Sequence, residues 1–365
     1  MKRVQSVIFA AAALMLAAPL SPKGNLNDAE RASALSAARA LLAPSLVKGD
    51  FQLCLTEDNE GVIIQKYLGR AAHVIVPGAV QEMPVRVIGE SAFMDNGFLV
   101  SVSIPEGLAV IDDGAFSGCI NLTAVIIPEG VTNIGASAFA GCVSLASVTL
   151  PRGLTSIGER AFYACSSLLS VVLPDGLTKI GAAAFLECSK LVSAIFPASL
   201  DAIGASAFAD TALTNIALPI KPIELGQSVF ARCTRLGVVT IPEGITRLPD
   251  AAFAHCTALT RVILPSTIQS LGVAAFYGCS VLTFVSISDM VLAIEFSLPP
   301  SDFYFIPLVG YMRAGYPFTF RGCPKLFLIS RAALNKLGYT DGYAWNETEI
   351  IPVEASRAIE LPAKE

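Results

Sequence analysis

Nine cysteines and two histidines are the residues of this chain with the widest chemical range. Thiolates and imidazoles hold zinc, and a thiol beside an imidazole can act as a nucleophile. The spacing speaks against both. Cys119, Cys142, Cys165 and Cys188 recur at steps of 23 residues, Cys233, Cys256 and Cys279 do the same, and Thr211 takes the place between the two runs. No Cys-x-x-Cys and no Cys/His pair of ligand spacing occurs. The expectation is a column of small buried thiols packed as hydrophobes. Export would permit disulfides, but nine is an odd number and members of one column share an orientation. His255 adjoins Cys256, yet it stands where other copies have Gly118, Gly141 or Arg232, which makes it a solvated loop residue. His73 precedes the first expected strand and has no evident partner. With no Gly-rich phosphate loop and no nucleophile elbow, no catalytic residue, metal or cofactor is expected. The chain reads as a non-enzyme.

Cysteines so evenly placed require a backbone that repeats. Phe93, Phe116, Phe139, Phe162, Phe185, Phe208, Phe230, Phe253 and Phe276 keep the same step of 23, except for one of 22 between Phe208 and Phe230. Pro105, Pro128, Pro151 and Pro174 hold a second register locked to the first. A unit this short cannot bury its own apolar face, so copies must stack into a solenoid. Leu145-x-x-Val148-x-Leu150 alternates like a strand with one buried face, and Pro151 ends it. A Gly turn follows in most copies (Glu129-Gly130), then a short extended piece ending Ile134-Gly135, then Ala138-Phe139. Ile127, Val131, Ile134, Ala138, Phe139, Cys142, Leu145, Val148 and Leu150 face inward in this coil. Phe116, Phe139, Phe162 and Phe185, with Cys119, Cys142, Cys165 and Cys188, form the expected core ladder. Nine or ten coils stacked ~4.8 Å apart give a mostly-β, curved slab roughly 45 Å long with a parallel sheet on one face.

The repeat also explains a lopsided composition. Over 365 residues, 53 % are hydrophobic, 15 % are charged and the mean hydropathy is +0.62, a value typical of membrane proteins. Coil interiors absorb most of that apolar content. So few charges exclude a disordered chain. Lys+Arg 25 against Asp+Glu 30, a net charge of −5, argues against nucleic acid as the partner. At the N-terminus, Met1-Lys2-Arg3, an apolar run from Val7 to Ala18 and then Pro19 to Pro22 have the pattern of a secretory signal peptide over residues 1–21. An apolar first helix is the alternative. The first cysteine is Cys54, too far on for a lipid anchor, and the C-terminal residues carry no hydrophobic tail. An exported chain (periplasmic, surface-held or secreted) with no transmembrane span after processing is expected.

The unit Ile-Pro-x-Gly-Val-Thr-x-Ile-Gly-x-x-Ala-Phe-x-Gly-Cys-x-x-Leu-x-x-Val, seen over Ile127 to Val148, resembles the BspA-like, Treponema-type leucine-rich repeat. The resemblance extends over Val74 to Ile287. It implies a leucine-rich repeat solenoid, export or surface display, and binding of protein partners such as host extracellular-matrix components, without catalysis on the repeats.

Around the solenoid of residues 74–287, the flanks are expected to close its ends. Residues 22–73 form an N-terminal cap, a helix over Asn27 to Ala43 and a hairpin over Phe51 to Tyr67 turning at Asp58 to Gly61. Residues 320–365 hold a last repeat, at Phe320 to Cys323, and a closing helix over Ser330 to Leu337. Between them, residues 288–319 break the pattern and are aromatic, with Phe303, Tyr304, Phe305, Tyr311 and Tyr316. This stretch is either a degenerate coil serving as a cap or a binding site for a small apolar ligand.

The remaining candidates lie on the outer face of the strands. One outward column includes Ile126, Thr149, Val172, Ile195 and Ile263, and its companion runs from Ser101 to Arg261 and Phe284. Arg261 is the single charge. A broad uncharged face marks a contact surface, unless these residues serve only to favour strands. A protein partner is the leading expectation, with a carrier or sensor of an apolar ligand, and self-association, as the others.

Overall fold

The computed structural model describes residues 46–286 and, beyond them, 293–294, 303–306, 310–313, 320, 323, 343–345 and 350–352. The chain divides into two units, Met1–Leu46 and Val47–Glu365, and all the coils belong to the second. The expected signal peptide and the expected helices at 27–43 and 330–337 lie outside the described residues. Among the described residues there is no helix, and none long and apolar enough to cross a membrane.

Each coil has three sides. The first carries three-residue strands such as Ala124–Ile126, Ser147–Thr149, Ser170–Val172 and Ser193–Ile195. The second carries two-residue strands such as Asn133–Ile134, Ser156–Ile157, Lys179–Ile180 and Ala202–Ile203. Both sets pair in parallel with an offset of one repeat, so Val148 lies on Val125 and Ile157 on Ile134. Like therefore stacks on like, and the inward columns become largely apolar ladders.

The third side is a tight turn around the phenylalanine. Two residues before and two after the ring, the backbone is left-handed: Ser137 (φ 54°) and Gly141 (φ 71°) around Phe139, Ala183 (54°) and Glu187 (64°) around Phe185. For a non-glycine residue that conformation costs ~1–2 kcal/mol. The return is visible in the hydrogen bonds. The N–H groups of Ser137, Phe139 and Gly141 all point along the stack and donate to Glu159, Ala161 and Tyr163 of the next coil, each at 2.7 Å. Ser, Ala and Gly fill many of these places, but Asp95, Arg160, Glu187, Asp210, Arg232 and His255 are held in the same conformation.

Inside, ten phenylalanines among the described residues are fully buried, from Phe93 to Phe276 and again at Phe320. Phe139 and Phe162 stack with centroids 5.3 Å apart and planes within 2°. Phe93, at the head of the ladder, is covered by an antiparallel hairpin of Phe51–Leu55 and Val62–Tyr67. Tyr67 stacks on it at 5.1 Å and Phe51 meets it edge-on at 6.4 Å.

Two departures from regularity stand out. Val148 and Leu150, inward residues by the sequence pattern, are only half-buried, and strand pairing lapses between Ser147–Thr149 and Ser170–Val172. The 22-residue coil is short by one residue where Cys-x-x-Leu becomes Thr211-Ala212-Leu213, and Asn215 to Ala217 form no strand.

Candidate functional site

The cysteines are all free, and those of the column are buried. They are also hydrogen-bonded. The Sγ–H of Cys119, Cys142, Cys165 and Cys188 donates to the carbonyl of Phe93, Phe116, Phe139 and Phe162 in the preceding coil, at 3.1–3.2 Å. Each such carbonyl takes its other bond from an N–H three residues on in its own coil, Cys142 for Phe139 at 3.2 Å and Asn96 for Phe93 at 3.1 Å. The column thus supplies a second donor to a buried oxygen, beyond the packing expected of it. Burial pushes the thiols of Cys119 and Cys188 up to about 12 and those of Cys142 and Cys165 well above their ordinary range. A protonated buried thiol is neither a nucleophile nor a ligand near neutrality. Among the described residues, no three His, Cys, Asp or Glu side chains gather where they could hold a metal ion.

The histidines differ from expectation. His255 is half-buried rather than solvated, with its ring edge-on to Tyr277 at 5.0 Å. Burial, and secondly the Arg232 charge, lower its pKa. Cys256 turns inward and donates to the Phe230 carbonyl at 3.2 Å. His73 lies in the strand His73–Ile75, with Nδ1 2.8 Å from the Ser101 hydroxyl.

The first sheet presents the remaining candidates. Ile126, Val172 and Ile195 are 70 %, 64 % and 58 % exposed, with Thr149 exposed between them. Ile75 extends the row: it pairs in register with Ser103 and is 77 % exposed. It stands 28 residues before Ser103, outside the 23-residue step, and so the period alone does not find it. Strand spacing makes the row from Ile75 to Ile195 about 24 Å long. Past Ile195 the surface changes character. Ile263 and Phe284 are half-buried, and the Arg261 guanidinium lies 4.6 Å from the Phe284 ring centroid, a cation–π contact. Charges gather instead on the turns after the strands, where Glu106, Glu129, Arg152 and Asp175 are exposed. The row itself is uncharged, with Ser103 and Thr149 among its isoleucines and valine, and charge begins at its edge.

Within the aromatic stretch, the strands Phe303–Ile306 and Gly310–Arg313 pair antiparallel, with Phe303 opposite Arg313, Tyr304 opposite Met312 and Phe305 opposite Tyr311. Its side chains, and Tyr316 altogether, lie outside the described residues. An open groove of about 760 Å³ lies elsewhere, along Asp201, Ala202, Pro222 to Leu225 and Gly244 to Arg247.

Residues 86–211 and 201–298 match the BspA type leucine rich repeat region, in six copies. A leucine rich cell surface protein of Faecalibacterium prausnitzii is similar at 26 % identity and a TM-score of 0.56, over 77 % of this chain and 80 % of that one. The leucine rich repeat protein of T. pallidum is 30 % identical over 65 % of this chain and 90 % of its own, with a TM-score of 0.41. No curated protein matches the chain.

Proposed function

Because the chain belongs to the BspA type leucine rich repeat family, whose repeats build protein-interaction modules, we propose that it is an exported, non-enzymatic binding protein. Its first sheet contacts a protein partner, with extracellular-matrix and cell-surface components as the leading class. The exposed, uncharged row of Ile75, Ile126, Val172 and Ile195 carries this proposal. The surface location of the Faecalibacterium relative supports export, as do the basic start and apolar run of residues 1–21. Buried, protonated thiols support the absence of catalysis.

The test is binding of the full chain to a panel of immobilised matrix proteins, beside the triple variant Ile126→Asp, Val172→Asp, Ile195→Asp. Surface substitutions of exposed residues leave stability within about 0.5 kcal/mol per site, so circular dichroism should be unchanged. Loss of a central apolar contact weakens binding about tenfold or more. Absence of binding to the whole panel, or binding that survives the triple substitution, would reject the proposal. Sequencing the N-terminus of the protein recovered outside the cell tests export, with a start between Ala18 and Pro22 expected.

A further inference from the structure

We infer that the solenoid carries a hinge at its shortened coil, between Phe208 and Phe253, fixed on the turn side and opening on the two sheet sides. A three-sided coil can swing only where one side stays tied and the other two are released. At the step from this coil to the next, that is the arrangement found.

On the first side, the residue missing between Thr211 and Leu213 pulls Asn215 to Ala217 out of strand geometry. The bonds that tie this coil to its neighbours, Thr214 N–H to the Val192 carbonyl and Gly237 N–H to that of Thr214, are both 3.4 Å. Equivalent bonds elsewhere in the column run from 2.8 Å at Ala146 and Thr260 to 3.3 Å at Leu169, so these two are its longest and fall on successive steps.

On the second side the break comes one coil later and has a different cause. A glycine N–H donates across each step there: Gly158 to Ile134, Gly181 to Ile157, Gly204 to Ile180 and Gly226 to Ile203, at 2.8–2.9 Å. The next place in this column is Pro249, which has no N–H. A side chain alone does not break the step, because Asp112 in the same column keeps its bond to Ile88 at 2.9 Å. At Pro249 the donor itself is absent. The sheet ends at Glu224–Leu225 and a new one starts at Arg247–Leu248, with the groove between them.

The turn side runs through without interruption. Phe208 donates to Val229, Asp210 to Ala231, Phe230 to Ala252 and Arg232 to Ala254, at 2.7–2.9 Å. The Arg232 guanidinium, gripping Asp210 at 2.8 and 3.1 Å, ties the shortened coil to the one before it. The ring ladder stretches but holds, with Phe208 and Phe230 at 5.9 Å, its widest step, still stacked. Rotation about the turn-side bonds from Phe230 and Arg232 to Ala252 and Ala254 would change the angle between the face bearing Ile75 to Ile195 and the face bearing Val238 to Phe284, whatever either face binds.

Hydrogen exchange of the full chain, read at residue level, tests this. Amides of Thr214 and Gly237 should exchange at least about tenfold faster than their equivalents Ala146 and Thr260, while Phe208, Asp210 and Phe230 stay as slow as Phe139. Replacing Pro249→Gly restores the donor and should slow exchange of Thr246 and Leu248. Equal protection at Thr214 and Ala146, or a turn side that exchanges as fast as the sheets, overturns the hinge; so does a folded P249G variant with unchanged exchange. If that variant fails to fold, the wild-type comparison alone decides.

Discussion

The thiol of Cys165 is held by a carbonyl that the sequence does not reveal. The repeating step makes the column legible, and a small apolar residue is the natural guess for it. What fixes the residue type is the Phe139 oxygen, buried and in need of a second donor, which Sγ–H provides at 3.2 Å. Where threonine replaces cysteine, the Thr211 hydroxyl turns to Phe208 of its own coil at 2.8 Å, so the step to the preceding coil loses that bond. Cys165→Ala should therefore destabilise the fold by about 1–3 kcal/mol in urea unfolding, more than removal of a sulfur from a purely apolar site. The same burial sets a pH dependence. Cys119 and Cys188 rise from 9.0 to about 12 in the folded chain. Above pH 9 the unfolded chain loses these protons while the folded one keeps them. Stability is then complete below about pH 9 and falls between about 9 and 12. A urea midpoint at pH 10 that is not below that at pH 8 would contradict this.

Within an element, glycine shows which positions the stack decides. A Cβ built at Gly158, Gly181 or Gly204 would lie 2.4–2.6 Å from backbone of the preceding coil, whereas one at Gly107 meets nothing within 4 Å. Gly181→Ala should cost about 1–3 kcal/mol through forced backbone shifts, and Gly107→Ala should stay within about 0.5 kcal/mol; thermal unfolding of the pair separates close approach from a general glycine effect. The recurring Gly after Ile or Leu announces this column in the sequence, with Asp112 and Pro249 as its exceptions. Its failure at Pro249 is equally visible there but has no meaning until the Gly226 N–H is seen bonded to Ile203. His255 is a similar case: position marks it as a loop residue, and only the fold places Tyr277 against its ring. Periodicity reports what each column has in common. It cannot report contacts made by one member alone.

For the molecule as a whole, the decisive property of the proposed face is where charge is absent. The chain carries a net −5, yet the row from Ile75 to Ile195 has none of it, and Glu106, Glu129, Arg152 and Asp175 stand on the turns beside it. A partner seated on the row buries apolar surface, whose contribution salt does not screen, and meets charges only at a wet rim. Rim charges act mainly on association rate, and beyond a Debye length of ~10 Å at 0.1 M salt they act weakly. Affinity should accordingly change by less than about threefold from about 50 to about 500 mM NaCl, with any loss confined to the on-rate. Surface plasmon resonance across that range measures both constants. An affinity that falls about tenfold or more with salt would move the contact from the strands to the charged turns, because no arrangement of uncharged side chains on the row could produce it.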